Sequence, residues 1–142
     1  MTPYDTALRI QRREVDTVKV SISVEVERIV VLDGQIAAHD TRLRDERALA
    51  HAMPFASDAW TARMKHERIR LDDAARMARA RLGQLRAQAI EAYGTMRAIE
   101  SAADRYRDEA DRVADAAEQA SIDDIAAARL LRERRRAARR MA

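Results

Sequence analysis

A seven-residue ladder governs the second half of the chain. Stepping from Leu71 by alternating fours and threes meets Leu71, Ala75, Ala78, Leu82, Leu85, Ala89, Ala92, Met96, Ile99, Ala103, Tyr106, Ala110, Val113, Ala117, Ala120, Asp124, Ala127 and Leu131. Seventeen of these eighteen positions are apolar, against 47% for the chain as a whole, and Asp124 is the exception. A stripe with this period keeps one face of a helix turned towards a partner helix, so the ladder predicts a long coiled-coil strand. No proline interrupts it. Gly83 and Gly94 fall inside the ladder, each costing about 1 kcal/mol relative to alanine without ending the helix.

Composition agrees with the ladder. The 142 residues include 30 alanines, no cysteine, three glycines and two prolines, and only 4% are aromatic. So few large side chains cannot fill a compact globular core of this length. High charge with few aromatics also suits a disordered chain, but a disordered chain has no reason to keep a heptad period. Without cysteine there is neither a disulfide framework nor a thiolate zinc site. No apolar run reaches the roughly 18 residues of a membrane span, so membrane insertion is not expected. The opening Met1-Thr2-Pro3-Tyr4-Asp5 shows no basic segment followed by an apolar one, and a cytoplasmic setting is the expectation.

The first half carries a sparser ladder. Leu8, Val15, Ile22, Ile29, Ile36, Leu43 and Ala50 lie seven apart, while the companion positions Gln11, Val18, Glu25, Leu32, His39 and Glu46 are mixed. Within it, Val18 to Val26 alternates with period two and is rich in β-branched residues, which is also a strand pattern. Helix is the expectation here, because the ladder continues on both sides of the stretch. No turn residues bound it, and an isolated strand would leave its backbone groups unpaired.

Between the ladders lies His51-Ala52-Met53-Pro54-Phe55-Ala56-Ser57-Asp58, with the only internal proline and a Ser-Asp pair suited to capping. The expected fold is therefore all-α, an antiparallel two-helix coiled-coil hairpin forming a single domain over residues 1–142. Helix one covers about 4–52, a turn 53–57 and helix two about 58–139. At 1.5 Å per residue the helices would measure roughly 70 Å and roughly 120 Å. With the fold point near residue 55, facing residue numbers should sum to about 110, which leaves helix two unpartnered beyond about Arg105.

The formal net charge of +3 conceals a strong asymmetry. Residues 129–142 hold seven arginines and Glu133, a balance of +6, so everything before them sums to −3. Residues 100–124 hold nine acidic and three basic side chains, and residues 61–86 hold eight basic and three acidic ones. Cations at a helix C-terminus complement the helix dipole, but seven arginines exceed that need. A basic tip of this kind suits an acidic protein surface or a nucleic acid. For nucleic acid the interleaved aromatics or a groove-reading motif are missing, so an Arg-tailed nucleic-acid-binding coiled coil, or a generic scaffold, is the alternative reading.

Catalytic signatures are missing. His39-Asp40 is an adjacent pair, but only His51 and His66 remain to join it, and no two histidines have the i, i+4 spacing of helical metal ligands. The three glycines form no phosphate-cradling loop, and a two-helix hairpin has no deep pocket for a substrate. Neither a cofactor, a metal nor an enzymatic activity is expected.

Three features in order suggest more. The chain opens with Leu8-Arg9-x-x-Arg12-Arg13-Glu14, places its single tryptophan, Trp60, near the start of helix two, and ends with Glu118-Gln119-Ala120-Ser121-Ile122-Asp123-Asp124-Ile125-Ala126 before the basic tail. That order resembles the flagellar export protein family FliJ and its counterpart stalk proteins in virulence type III secretion. The closing segment looks like the family's Glu-Gln-x-x-x-Asp-Glu-x-Ala pattern, with Asp124 in place of the usual glutamate. Heptad logic alone would put an apolar residue at 124.

The resemblance implies a stalk like that of rotary ATPases, whose chain ends enter the hexameric ring of the flagellar export ATPase. It also implies contact with the export gate membrane protein, escort of export chaperones, and a cytoplasmic location peripheral to the membrane-bound apparatus. Carried over, Asp123, Asp124, Arg129, Arg132, Arg135, Arg136 and Arg139 would face the ATPase. The gate-facing surface would comprise Gln35, His39, Arg42 and Glu46 of helix one with His66, Arg70, Asp73 and Met77 of helix two, and Gln35 is the one that matches in residue type. Self-association is a further expectation, since Val113, Ala117, Ala127 and Leu131 continue the apolar seam past the end of helix one.

Overall fold

A computed structural model describes residues 1–52 and 58–142, and the turn expected at 53–57 lies outside the described residues. Two α-helices pack against each other as an all-α antiparallel hairpin, α1 over Asp5–Ala52 and α2 over Asp58–Met141. They are unequal, 48 and 84 residues long. The stretch Val18 to Val26, with its strand-like alternation, lies inside α1. Its alternation has a structural reason. Val18 and Ile22 turn into the seam, whereas Val20, Val24 and Val26 stand on the exposed side of the same helix.

By contacts the chain forms two compact units, one of Arg9–Met96 and the other of Met1–Leu8 with Arg97–Ala142. Within the first, four cross-helix contacts report the register. The Gln11 side-chain amide donates to the Ala92 carbonyl at 3.1 Å, Arg81 lies 3.7 Å from Glu25, Arg79 donates to Asp33 at 2.6 Å and Arg68 to Asp40 at 2.8 Å. The residue numbers of these pairs sum to between 103 and 112, close to the expected 110. Three of the contacts join a basic side chain of α2 to an acidic one of α1, which explains the basic bias of residues 61–86: it meets Glu25, Asp33 and Asp40.

The core is the heptad seam. Val15, Met64, Ala75, Ala78, Leu82 and Ala92 are buried, and Ile22, Ile29, Ile36, Leu43, Leu71, Leu85 and Ala89 are half-buried. Alanine dominates the α2 side, which allows close helix approach but limits the apolar area each contact removes from water. Among the described residues, two of the buried seam positions are polar. Glu25 is 3% exposed, with a guanidinium of Arg28 at 3.6 Å and of Arg81 at 3.7 Å, and His39 is 6% exposed.

In the second unit the chain start is held by a reciprocal cap. The backbone N–H of Thr2 donates to the Asp5 carboxylate at 2.8 Å, the Thr2 hydroxyl donates to its other oxygen at 2.7 Å, and the Asp5 N–H donates back to the Thr2 carbonyl at 3.2 Å. Pro3 occupies the first-turn position where its missing N–H costs nothing. The hydrogen bonds from Thr2 hold the Asp5 carboxyl below the usual carboxylate range. Tyr4 packs edge-on against Tyr106, ring centres 6.2 Å apart. Ala103 is buried at 1% exposure, and every residue from Asp104 to Ala142 is exposed. Burial along α2 therefore ends within two residues of the expected limit at Arg105.

Candidate functional site

The first candidate surface is the C-terminal part of α2. Its backbone is helical to Met141, yet from Asp104 onward every residue is exposed, Tyr106 against Tyr4 being the one ring contact found among the described residues. The seam nevertheless continues as an open apolar stripe through Val113, Ala117, Ala120, Ala127 and Leu131, with Val113 61% and Leu131 54% exposed. An uncovered apolar stripe of this length is a candidate association surface.

Charge divides the same stretch. Asp123 and Asp124 are both exposed, and the Gln119 side-chain amide, one turn earlier, donates to Asp123 at 2.9 Å, which orients that carboxylate. Asp124 takes the seam position itself, so the stripe presents a carboxylate where the ladder would place an apolar group. Beyond it Arg129, Arg132, Arg135, Arg136 and Arg139 are all exposed, with Arg134 and Arg140 beside them. The dipole of a long helix favours cations at this end, so the arginines suit the last turns and leave their guanidinium donors exposed.

The second candidate surface lies in the Arg9–Met96 unit. Gln35, Arg42, Glu46, His66, Arg70, Asp73 and Met77 are exposed there. His39 is not. Its ring takes the seam position and shows only an edge, so the surface expected to include it is corrected to one in which His39 forms the floor rather than an outward contact. A shallow groove brings Gln35, His39 and Arg42 of α1 together with Glu67 and Leu71 of α2. A second groove holds His66 and Arg70 with Ala62 and Arg63, and Glu67 lines both. Glu46, Asp73 and Met77 line neither groove, and Asp73 pairs with Arg76 on its own helix.

The best-defined geometry in this region belongs to two residues absent from the expected surface. Arg68 donates through Nε to one oxygen of Asp40 at 2.8 Å and through Nη2 to the other at 3.3 Å, a two-pronged pair across the helices, and also reaches Asp72 on its own helix. Paired with Arg68, the Asp40 carboxyl titrates below its ordinary range, and the guanidinium is held more firmly protonated in return. His39 Nδ1 lies 3.8 Å from Asp40, beyond hydrogen-bond reach, and neither ring nitrogen has a hydrogen-bond partner. The register alone points to this pair, since 40 and 68 sum to 108.

Among the described residues no group of three or more His, Cys, Asp or Glu side chains could hold a metal ion. No helix among them is long and apolar enough to cross a membrane. The fold is thus an all-α helical hairpin with two charged, partly apolar surfaces. No family model, curated protein or solved structure matches the chain.

Proposed function

We propose that this chain is a non-enzymatic, stalk-like component of the bacterial flagellar type III export apparatus. In this reading it promotes assembly and activity of the export ATPase ring and links the ring to the export gate and to export chaperones. It works in the cytoplasm, peripheral to the membrane-bound machinery. The observation that carries the reading is the C-terminal part of α2: a helix exposed at every residue after Ala103, bearing Glu118-Gln119, the Asp123-Asp124 pair with Asp124 in the seam, and the arginine tip in that order. A ring lumen needs such a bare helix, one that offers charge and apolar surface on all sides. The grooves around Gln35, Arg42, His66 and Arg70 supply the surface for the gate.

The reading is tested by mixing the purified chain with the export ATPase of the same cell and following ring assembly by light scattering. Hexamers should form at lower ATPase concentration when the chain is present. Unchanged assembly together with no co-purification would overturn it, and salt-sensitive DNA binding that depends on residues 129–142 would favour the nucleic-acid alternative.

A further inference from the structure

We propose that two copies of the chain pair antiparallel through residues 116–142, with Asp124 of each copy set against Arg134 of the other. Along the exposed part of α2 the seam positions continue past Leu131 as Arg134, Ala138 and Met141. Within residues 116–142 the seam then contains two polar residues, Asp124 and Arg134, of opposite sign and on opposite rows of the heptad. In an antiparallel coiled coil each row of one helix faces the other row of its partner, so registers are allowed only at heptad steps.

Facing numbers that sum to 244, 251, 258 or 265 give the four registers that set Asp124 against a seam residue of the segment, and in the last of these Asp124 faces Met141 and Arg134 faces Leu131, each charge against an apolar side chain. In the first, Asp124 faces Ala120 of the second copy and the Asp123-Asp124 pairs of both copies crowd the dyad. In the next, Asp124 faces Ala127 and Arg134 faces Ala117, so each charge is enclosed against an alanine methyl. Only when paired numbers sum to 258 does Asp124 meet Arg134, twice by symmetry. An enclosed charge facing an apolar group costs more than an enclosed ion pair, which selects this register.

The same register solves the packing independently. Leu131 faces Ala127, Met141 faces Ala117 and Ala120 faces Ala138, so each bulky seam residue meets a small one. Leu130 of both copies flanks the dyad, which provides cover for the adjacent Leu130 and Leu131, now 49% and 54% exposed. Long-range charge agrees as well. Residues 116–128 carry −3 and residues 129–142 carry +6, and antiparallel pairing lays the first on the second. Parallel pairing would set arginine tip against arginine tip. The pairing does not rest on the export reading; because it uses Asp124 and the arginine tip, a paired copy has neither free for a ring.

With alanine at half of the seam positions in this segment the dimer is weak, reversible and salt-sensitive. Sedimentation velocity of the full chain over a wide concentration range tests it, using Asp124→Arg, Arg134→Asp and the double swap. Both positions are exposed, so the hairpin itself is unaffected, which circular dichroism verifies. Expected are a wild-type dimer that dissociates on dilution and in high salt, at least about tenfold weaker association for each single variant, and restoration in the double swap. A monomeric wild type, single variants that dimerise as the wild type does, or a double swap as weak as the singles would each overturn the proposal.

Discussion

Arg68 of α2 grips both carboxylate oxygens of Asp40 of α1, at 2.8 and 3.3 Å, and this pair fixes the two helices in register beside the buried ring of His39. The pair has a pH signature. The Asp40 carboxyl titrates below its unfolded value because Arg68 donates to it, so its contribution to stability is present above about pH 4 and is lost as pH falls through the depressed folded value. Thermal unfolding should show a midpoint that declines on acidification below about pH 4. Asp40→Asn should lower the midpoint at neutral pH and flatten that decline, and a variant with an unchanged acid limb would assign the acid sensitivity elsewhere.

The burial of His39 gives a second test. Both ring nitrogens are buried with no hydrogen-bond partner, so the ring loses its water contacts without replacement. His39→Leu should therefore stabilise the hairpin, by about 1 kcal/mol on the scale of one unmade hydrogen bond, measured by urea unfolding. A lower stability would mean that the histidine contributes something leucine cannot.

Gly83 and Gly94 sit in α2 with no atom within 4 Å of where a Cβ would stand, and neither has positive φ. Alanine at either position should raise stability by about 0.5–1 kcal/mol through the reduced entropy of the unfolded chain. Chemical denaturation of the single variants checks this.

Much of this architecture could be read from the residues. The seam positions from Leu71 to Ala103 are buried or half-buried one by one, and those beyond are exposed, because an apolar ladder reports a partner wherever a second ladder of matching length exists. The register followed from the proline alone. What escaped the reading was polar. Whether Glu46 or His39 enters the seam depends on side-chain geometry that a heptad count does not contain: Glu46 is exposed and His39 buried. The Thr2–Asp5 cap rests on hydrogen bonds that a heptad ladder does not contain. The C-terminal candidate residues were legible because charge clusters are visible in any linear sequence. The Asp40–Arg68 pair needed the register first.

Ala103 and Ala117 occupy the same heptad position two turns of the ladder apart, one 1% exposed and the other in the exposed part of α2. Ala103→Glu should cost about 2 kcal/mol or more by forcing a carboxylate into the seam, whereas Ala117→Glu in dilute solution should stay within about 0.5 kcal/mol. Equal losses in thermal unfolding would contradict the end of burial at Ala103.

Engagement of a ring ATPase by the exposed C-terminal helix is the proposed activity. Its most direct measurement is the ATP hydrolysis rate of the export ATPase with the full chain and with a chain ending at Ala103, which keeps the buried seam. The full chain should raise the rate and the shortened chain should not, with circular dichroism showing the hairpin intact in both. Equal stimulation by the two chains, or none by either, would contradict the claim.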